Sequence, residues 1–227
     1  MKDIRAVLFD LDDTLYPEPD FVRGGFRAAA SYLGRRFGVD PGTTFEAMMA
    51  VLGRDGRGMV FDAVLRELGL YTHELTKTLL YLYRSHRPEI SLYDDVLPFI
   101  DSLKAADITT GLITDGMASV QRSKIGALGL EDLLDVIICT DELGRECWKP
   151  SPIPFKVALG LLPGSIAPQE AVYIGDNAVK DFIAPNELGM RSIQIARSDA
   201  LPHGSDARAR AHYRYGGLQG CLQQKKT

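Results

Sequence analysis

The sequence predicts an α/β fold, in which a doubly wound parallel sheet carries helices on both faces and a group of four helices is inserted after the first strand. Short apolar runs recur along most of the chain, and segments with helical periodicity separate them. Such alternation requires right-handed crossovers and therefore a parallel sheet. Residues 17–90 interrupt the alternation, because they contain helical patterns and no strand pattern.

The predicted strands are continuous apolar runs, as expected of parallel strands that are buried on both faces. They are residues 6–9 (AVLF), 109–114 (TTGLIT), 136–139 (VIIC), 171–174 (AVYI) and 191–195 (RSIQI). The first four end at polar or acidic residues. Because ligands of such sheets bind at the carboxyl ends of the strands, these residues are candidates for a functional site. A last short strand near Tyr213 and a closing helix are expected within residues 211–223.

The predicted helices fall into two groups. Between the strands we expect helices at residues 96–105, 119–128, 154–161 and 181–188. Within the insertion we expect them at residues 21–37, 44–52, 59–68 and 75–87, separated by glycine-containing loops. We therefore assign residues 1–16 and 91–227 to an α/β core domain and residues 17–90 to a helical subdomain.

Composition narrows the class of protein. The 227 residues are 45% hydrophobic and 25% charged, which is typical of a globular protein. A net charge of -4 gives no electrostatic footprint for nucleic acid. No apolar run approaches the roughly 20 residues that cross a bilayer, and no signal-peptide pattern opens the chain. We expect a cytoplasmic protein without nucleic-acid or membrane partners; the pattern leaves the oligomeric state open.

Two acidic residues follow the first predicted strand. Asp10 and Asp12 are two positions apart in an extended segment, so their side chains point to the same side. A carboxylate pair in a pocket suits a nucleophile combined with a group that transfers protons. Asp-x-Asp alone is weak evidence and would favour a turn with solvated or capping aspartates. Its position after a buried strand, with three further strands ending in polar residues, favours the catalytic interpretation.

Four motifs in order resemble those of the haloacid dehalogenase superfamily of hydrolases. Residues 9–15 (FDLDDTL) match its Asp-x-Asp-x-Thr motif, and residues 112–116 (LITDG) match an apolar strand that ends in Thr or Ser. Lys149-Pro150 fits the third motif, and residues 175–181 (GDNAVKD) fit Gly-Asp-x-x-x-x-Asp. The resemblance implies a Rossmann-like core, with residues 17–90 as a C1 cap. It also implies a phosphoric monoester hydrolase that acts on a small phosphorylated metabolite, such as a sugar phosphate or a nucleotide.

The resemblance also implies a role for each acidic position. Asp10 would be the nucleophile, and Asp12 would protonate the departing alcohol and then activate water. Mg²⁺ would be bound by Asp10, by the backbone carbonyl of Asp12 and by Asp176. Asp181 would act from behind these ligands, by fixing a metal-bound water or Lys149.

The remaining site residues are expected to bind the substrate. Thr114 and the backbone amides beyond it, at Asp115 and Gly116, would hold phosphoryl oxygens near the start of a helix. Lys149 would neutralise charge on the phosphoryl group and on Asp10. In the insertion, Arg54 and Arg57 are candidates for recognising a polar or anionic part of the leaving group; solvated loop arginines are the alternative interpretation.

The same residues are compatible with other functions. Asp12 favours phosphoester hydrolysis over dehalogenation or cation-transporting ATPase chemistry, since those relatives do not use an acid there. A sugar phosphomutase on the same scaffold is an alternative, and it would move phosphate between positions on one sugar instead of releasing it. A non-catalytic binding protein with this fold is a further alternative, because fold does not dictate function.

Overall fold

Six parallel strands form one sheet in the computed structural model, which describes residues 4–197 and 207–222. They are β1 (Ala6–Phe9), β2 (Thr109–Thr114), β3 (Val136–Cys139), β4 (Ala171–Gly175), β5 (Arg191–Ile195) and β6 (Tyr213–Tyr215). Their order across the sheet is β3-β2-β1-β4-β5-β6, and every neighbouring pair is parallel. The predicted α/β class and parallel sheet are confirmed.

The strand order creates a crevice at the carboxyl end of β1. The chain moves outward from β1 to β2 and β3 on one side, and then returns to β4 on the other side of β1. This reversal is a topological switch point, where the loops after neighbouring strands diverge and leave room for a ligand. The loops after β1, β2 and β4 carry the first, second and fourth sequence motifs.

The α-helices that the structure describes lie between the strands, in the inserted region and, for the last of them, after β6. They are α1 (Glu18–Phe37), α2 (Pro41–Asp55), α3 (Val60–Glu67), α4 (His73–Ser85), α5 (Val96–Lys104), α6 (Ala118–Ala127), α7 (Ile153–Leu161), α8 (Ile183–Leu188) and α9 (Gln219–Leu222). One side of the sheet packs against Phe155 and Phe182, which are fully buried. Burial of both faces explains why β1 and β4 contain only buried residues.

Contacts divide the chain into two compact units. One is the helical unit Glu18–Ile90, and the other combines Met1–Pro17 with Ser91–Thr227. The helical unit has a core of its own, formed by apolar residues of α1 to α4 that include Phe26, Leu33 and Leu65. In the parts of the chain that are described, no helix is both long enough and apolar enough to cross a membrane.

Most helix boundaries in this unit differ from the sequence prediction by one to three residues, and two of the differences have a clear physical reason. Helix α1 begins at Glu18 and not at residue 21, because an acidic first turn and a proline at the second helical position are both favourable there. Helix α2 continues to Asp55, although residues 53–58 were predicted to be a loop. It ends before Gly56, whose φ of 76° does not continue a right-handed helix. Arg54 is therefore helical.

Candidate active site

A buried lysine joins the loops that follow three strands. The Nζ of Lys149 lies 2.6 Å from Asp10 Oδ1, 2.8 Å from Asp181 Oδ1 and 3.0 Å from the Tyr173 hydroxyl. Its side chain is completely buried. These three contacts match the three donors of an ammonium group. A buried charge is tolerated when it is paired and hydrogen-bonded in this way, so the arrangement fixes Asp10 in one orientation.

The charges around Lys149 keep this lysine and Asp10 ionised. Burial alone would lower the pKa of Lys149, but the charges of Asp10 and Asp181 raise it well above its ordinary value. Burial would likewise raise the pKa of Asp10. The charges of Lys149 and Lys180 oppose that effect and hold the pKa of Asp10 below its ordinary value. Asp10 is therefore a carboxylate, which is the form that can attack an electrophile.

Three buried carboxylates meet next to this lysine. Oxygen atoms of Asp10, Asp176 and Asp181 all lie within 4.8 Å of one another. Burial and the neighbouring charges of Asp10 and Asp181 raise the pKa of Asp176 to about 8. Such repulsion is relieved when a divalent cation binds between the oxygens, and Mg²⁺ and Ca²⁺ prefer this kind of ligand. The residues present therefore fit a hard metal ion.

Asp181 already uses both of its oxygens. Oδ1 accepts from Lys149, and Oδ2 accepts from the backbone N–H of Asn177 at 2.9 Å. Within the fourth motif, Asp176 differs because its side chain remains near the surface of the crevice, with 9% of the residue exposed. The two carboxylates thus occupy different surroundings: Asp181 is fully buried and supports the loop and the lysine, whereas Asp176 is slightly exposed.

The loop after β2 is held by Asp115. Its Oδ1 accepts from the Thr140 hydroxyl at 2.8 Å and from the backbone N–H of Lys149 at 3.1 Å. This carboxylate thereby connects the second and third motifs. Gly116 has a φ of 126°, and a Cβ there would approach the Gln121 side chain to 3.3 Å. The backbone at this point therefore requires glycine.

Three side chains that the sequence analysis did not single out bind Asp12. Lys124 Nζ lies 2.7 Å from Asp12 Oδ1, which also accepts from the Tyr16 hydroxyl. Gln121 Nε2 donates to Asp12 Oδ2 at 3.1 Å and also to the hydroxyl of Thr114. Gln121 and Lys124 are three positions apart and so share one face of α6. In the sequence, the only indication of these contacts with Asp12 was a pair of polar residues three positions apart on the helix after the second motif.

A second lysine, also missed, lies in the fourth motif. Lys180 Nζ is 4.0 Å from Asp115 Oδ2, and 32% of its side chain is exposed. Burial and the charge of Lys149 lower the pKa of Lys180, but the charges of Asp10 and Asp181 raise it above its ordinary value. Lys180 is therefore a partly exposed cation in the electrostatic field of Asp10. Lys180 occupies a variable position of the Gly-Asp-x-x-x-x-Asp motif, so the motif gave no reason to select it.

The two arginines predicted to bind substrate are paired within the helical unit. Arg54 forms a bidentate ion pair with its neighbour Asp55, with Nη2 to Oδ2 at 2.8 Å. Arg57 forms a bidentate pair with Glu18, with Nη1 to Oε1 at 2.6 Å. Their side chains are 67% and 59% exposed. Both arginines are thus accessible, and each already has an acidic partner.

Comparison with known proteins relates the whole arrangement to one family. Residues 7–195 match the sequence model of the haloacid dehalogenase-like hydrolases. A glyceraldehyde 3-phosphate phosphatase from Methanocaldococcus jannaschii is 32% identical over an alignment of 206 residues, and the match covers 86% of this chain and 86% of that protein. A ribulose-1,5-bisphosphate 5-phosphatase from Halopiger xanaduensis is 30% identical over 215 residues, covering 86% and 85% of the two chains.

A solved structure supports the same relationship. The crystal structure of a HAD phosphatase from Thermococcus onnurineus superposes with a TM-score of 0.65 at 25% identity, and the match covers 98% of both chains. The matched region of the family includes all four motifs described above. The chain therefore belongs to the haloacid dehalogenase-like hydrolase family, as one of its phosphatases.

Proposed function

We propose that this protein is a Mg²⁺-dependent phosphatase that transfers the phosphoryl group of a small phosphate monoester to Asp10 and then to water. The observation that carries the proposal is the fully buried Lys149, at 2.6 Å from Asp10 Oδ1 and 2.8 Å from Asp181 Oδ1. This contact orients an ionised carboxylate beside a cluster of acidic oxygens. A carboxylate in such a setting serves as a nucleophile in covalent catalysis.

The chain's own residues divide the work in this mechanism. A carboxylate oxygen of Asp10 forms a bond to phosphorus while the bond to the ester oxygen breaks. Asp12 donates a proton to that departing oxygen and later takes one from the attacking water. Lys149 balances negative charge at Asp10, and the Thr114 hydroxyl, which accepts from Gln121, would donate to a phosphoryl oxygen. The product of the first step is an alcohol, and that of the second is inorganic phosphate.

A magnesium ion would be held by Asp10, Asp176 and the backbone carbonyl of Asp12. When bound, it supplies positive charge that screens the carboxylates from the approaching phosphate and polarises the phosphoryl group. Asp181 would act behind these ligands, since both of its oxygens already accept hydrogen bonds. The proximity of the Asp10 and Asp176 oxygens supports this assignment.

We expect the substrate to be a small phosphorylated metabolite. The two relatives described above are named for a triose phosphate and a pentulose bisphosphate. This chain covers most of each relative's length, so the comparison involves complete domains. Sugar phosphates are therefore the first compounds to test, followed by nucleotides. The helical unit would act as a cap that contributes to the choice of substrate.

A phosphate-release screen tests the proposal. Purified protein with Mg²⁺ is expected to release inorganic phosphate from one or more sugar phosphates, with glyceraldehyde 3-phosphate and ribulose 1,5-bisphosphate as the first members of the panel. A product analysis on the same samples distinguishes hydrolysis from transfer within one sugar. No phosphate release from any monoester, together with no fluoroberyllate complex at Asp10, would contradict the proposal.

The cap arginines give a separate prediction about the substrate. Replacing Arg57 by Ala is expected to raise KM about tenfold for the true substrate, because a hydrogen bond to a charged group contributes about 1.5–3 kcal/mol. The increase should be much smaller for p-nitrophenyl phosphate, which lacks the hydroxyl groups and the second phosphate that a sugar phosphate can offer to an arginine. Arg54→Ala is tested in parallel with Arg57→Ala, because both arginine side chains are exposed and each is paired with an acidic residue. Unchanged KM values for both variants across the panel would remove the arginines from substrate recognition.

A further inference from the structure

A buried lysine on α6 has no role in the mechanism described so far. Only 5% of the Lys124 side chain is exposed, and its Nζ lies 2.7 Å from Asp12 Oδ1. Moving an ammonium group out of water is costly, and a buried ion pair seldom stabilises a fold more than apolar residues of the same size would. An apolar side chain would therefore suit this position if folding were the only requirement. The reason for a buried lysine at this position must therefore lie in its contact with Asp12.

The contacts of Asp12 suggest what that explanation is. Both carboxylate oxygens accept hydrogen bonds: Oδ1 from Lys124 and Tyr16, and Oδ2 from Gln121. Asp12 nevertheless remains partly accessible, with 21% of its side chain exposed. A carboxyl group held from the protein side and open on another side is restrained in position while it can still reach a ligand.

Gln121 links this carboxyl group to the phosphate-binding side of the site. Its side-chain nitrogen donates both to Asp12 Oδ2 and to Thr114 Oγ1. An amide nitrogen has two hydrogens, so one group can make both bonds. The side chain is buried, with 2% of the residue exposed. The amide therefore fixes the separation between Asp12 and Thr114.

We propose that Lys124, together with Gln121 and Tyr16, is a positioning residue that holds the Asp12 carboxyl group where the leaving oxygen departs. The proposal rests on the proposed function. In the first step, Asp10 bonds to phosphorus, the ester P–O bond breaks with its electron pair on the alcohol oxygen, and the Asp12 proton moves to that oxygen. Loss of Lys124 leaves this acid present but misplaced.

The chemistry of the leaving group separates this role from a structural one. An alkoxide is a poor leaving group and needs a proton as the P–O bond breaks, whereas p-nitrophenolate leaves as a stable anion. The value of kcat/KM reports only the steps through formation of the phosphorylated enzyme. A misplaced acid therefore lowers kcat/KM for alkyl esters and spares aryl esters, while a damaged fold lowers both.

The experiment compares β-glycerol phosphate with p-nitrophenyl phosphate for Lys124→Met. General acid catalysis contributes about 10²–10⁴-fold, so a misplaced acid is expected to reduce kcat/KM for the alkyl ester about 10- to 100-fold. The value for the aryl ester should stay within about threefold of wild type. Lys124→Arg is expected to recover part of the alkyl activity. Lys156→Met, at an exposed position on α7, is the matched control and should leave both values unchanged.

The outcomes distinguish the inference from the proposed function. Equal losses with both esters, or no loss with either, would overturn the positioning role. If circular dichroism shows that Lys124→Met is unfolded, Tyr16→Phe removes a single hydroxyl group and provides the same comparison. A ratio of the two kcat/KM values equal to wild type in that variant would also overturn it. A wild-type protein that releases phosphate from no monoester with Mg²⁺, and forms no fluoroberyllate complex at Asp10, fails earlier, and that result would reject the proposed function itself.

Discussion

Asp10→Asn is expected to lower kcat/KM for every phosphate monoester by about 10⁴-fold or more, because it removes the nucleophile on which both chemical steps depend. The substitution keeps the shape of the side chain and one acceptor oxygen. It removes the negative charge that lies 2.6 Å from Lys149 Nζ. The loss should be the same for alkyl and aryl esters, unlike the effect of Lys124→Met. Initial rates of phosphate release provide the measurement.

The control for Asp10→Asn must show that the fold survives. The fully buried Lys149 keeps its second partner, Asp181, at 2.8 Å, so the ammonium group is not left without a negative charge. Asp132→Asn changes an exposed aspartate and should leave the activity unchanged. Near-native phosphatase activity in correctly folded Asp10→Asn would contradict the assignment of the nucleophile.

Removal of Mg²⁺ is expected to have the second largest effect. A metal ion that stabilises developing charge contributes several kcal/mol, so chelation with EDTA should lower kcat/KM by about 10³-fold. Added Mg²⁺ should restore the rate and also raise Tm, because a ligand that binds only the folded state stabilises it. The free energy of unfolding should respond strongly, since the oxygens of three buried carboxylates lie within 4.8 Å of one another.

Asp176→Asn tests whether this response arises at the proposed site. Burial and the charges of Asp10 and Asp181 work against an ionised Asp176. Without metal, the neutral variant should therefore be more stable than wild type, with Tm higher by at least about 2 °C. Its Tm should no longer rise with Mg²⁺, whereas Asp132→Asn should keep the full response. An unchanged Mg²⁺ response in Asp176→Asn would place the metal elsewhere.

Most of the fold could be predicted from the sequence because its strands are strongly patterned. Buried parallel strands are continuous apolar runs, and β1 (AVLF) and β3 (VIIC) have few competing interpretations. Helix ends were harder to predict. Gly53 is compatible with a helix or a loop, and α2 continues past it because Gly56 is the residue that adopts a positive φ. The sequence pattern near two glycines did not distinguish between them.

The residues of the candidate site could likewise be predicted only in part. Aspartates at strand ends could be selected because their position relative to a sheet edge follows from strand direction. The partners of Asp12 could not, since Lys124 and Gln121 lie on a helix whose orientation depends on how it packs against the sheet. Tyr173 posed a related problem. It occupies a fully buried strand, and only the structure shows that its hydroxyl lies 3.0 Å from Lys149 Nζ.

Chemical trapping tests the central assignment most directly. Protein turning over p-nitrophenyl phosphate with Mg²⁺ is quenched in acid and reduced with borohydride, which converts an aspartyl phosphate to homoserine. Asp12→Asn should increase the trapped fraction, because it slows the attack of water on the phosphorylated enzyme. Mass spectrometry of the digested chain should find homoserine at position 10 and at no other aspartate. Phosphate release without homoserine at position 10, or homoserine at a different aspartate, would contradict the assignment of Asp10 as the nucleophile.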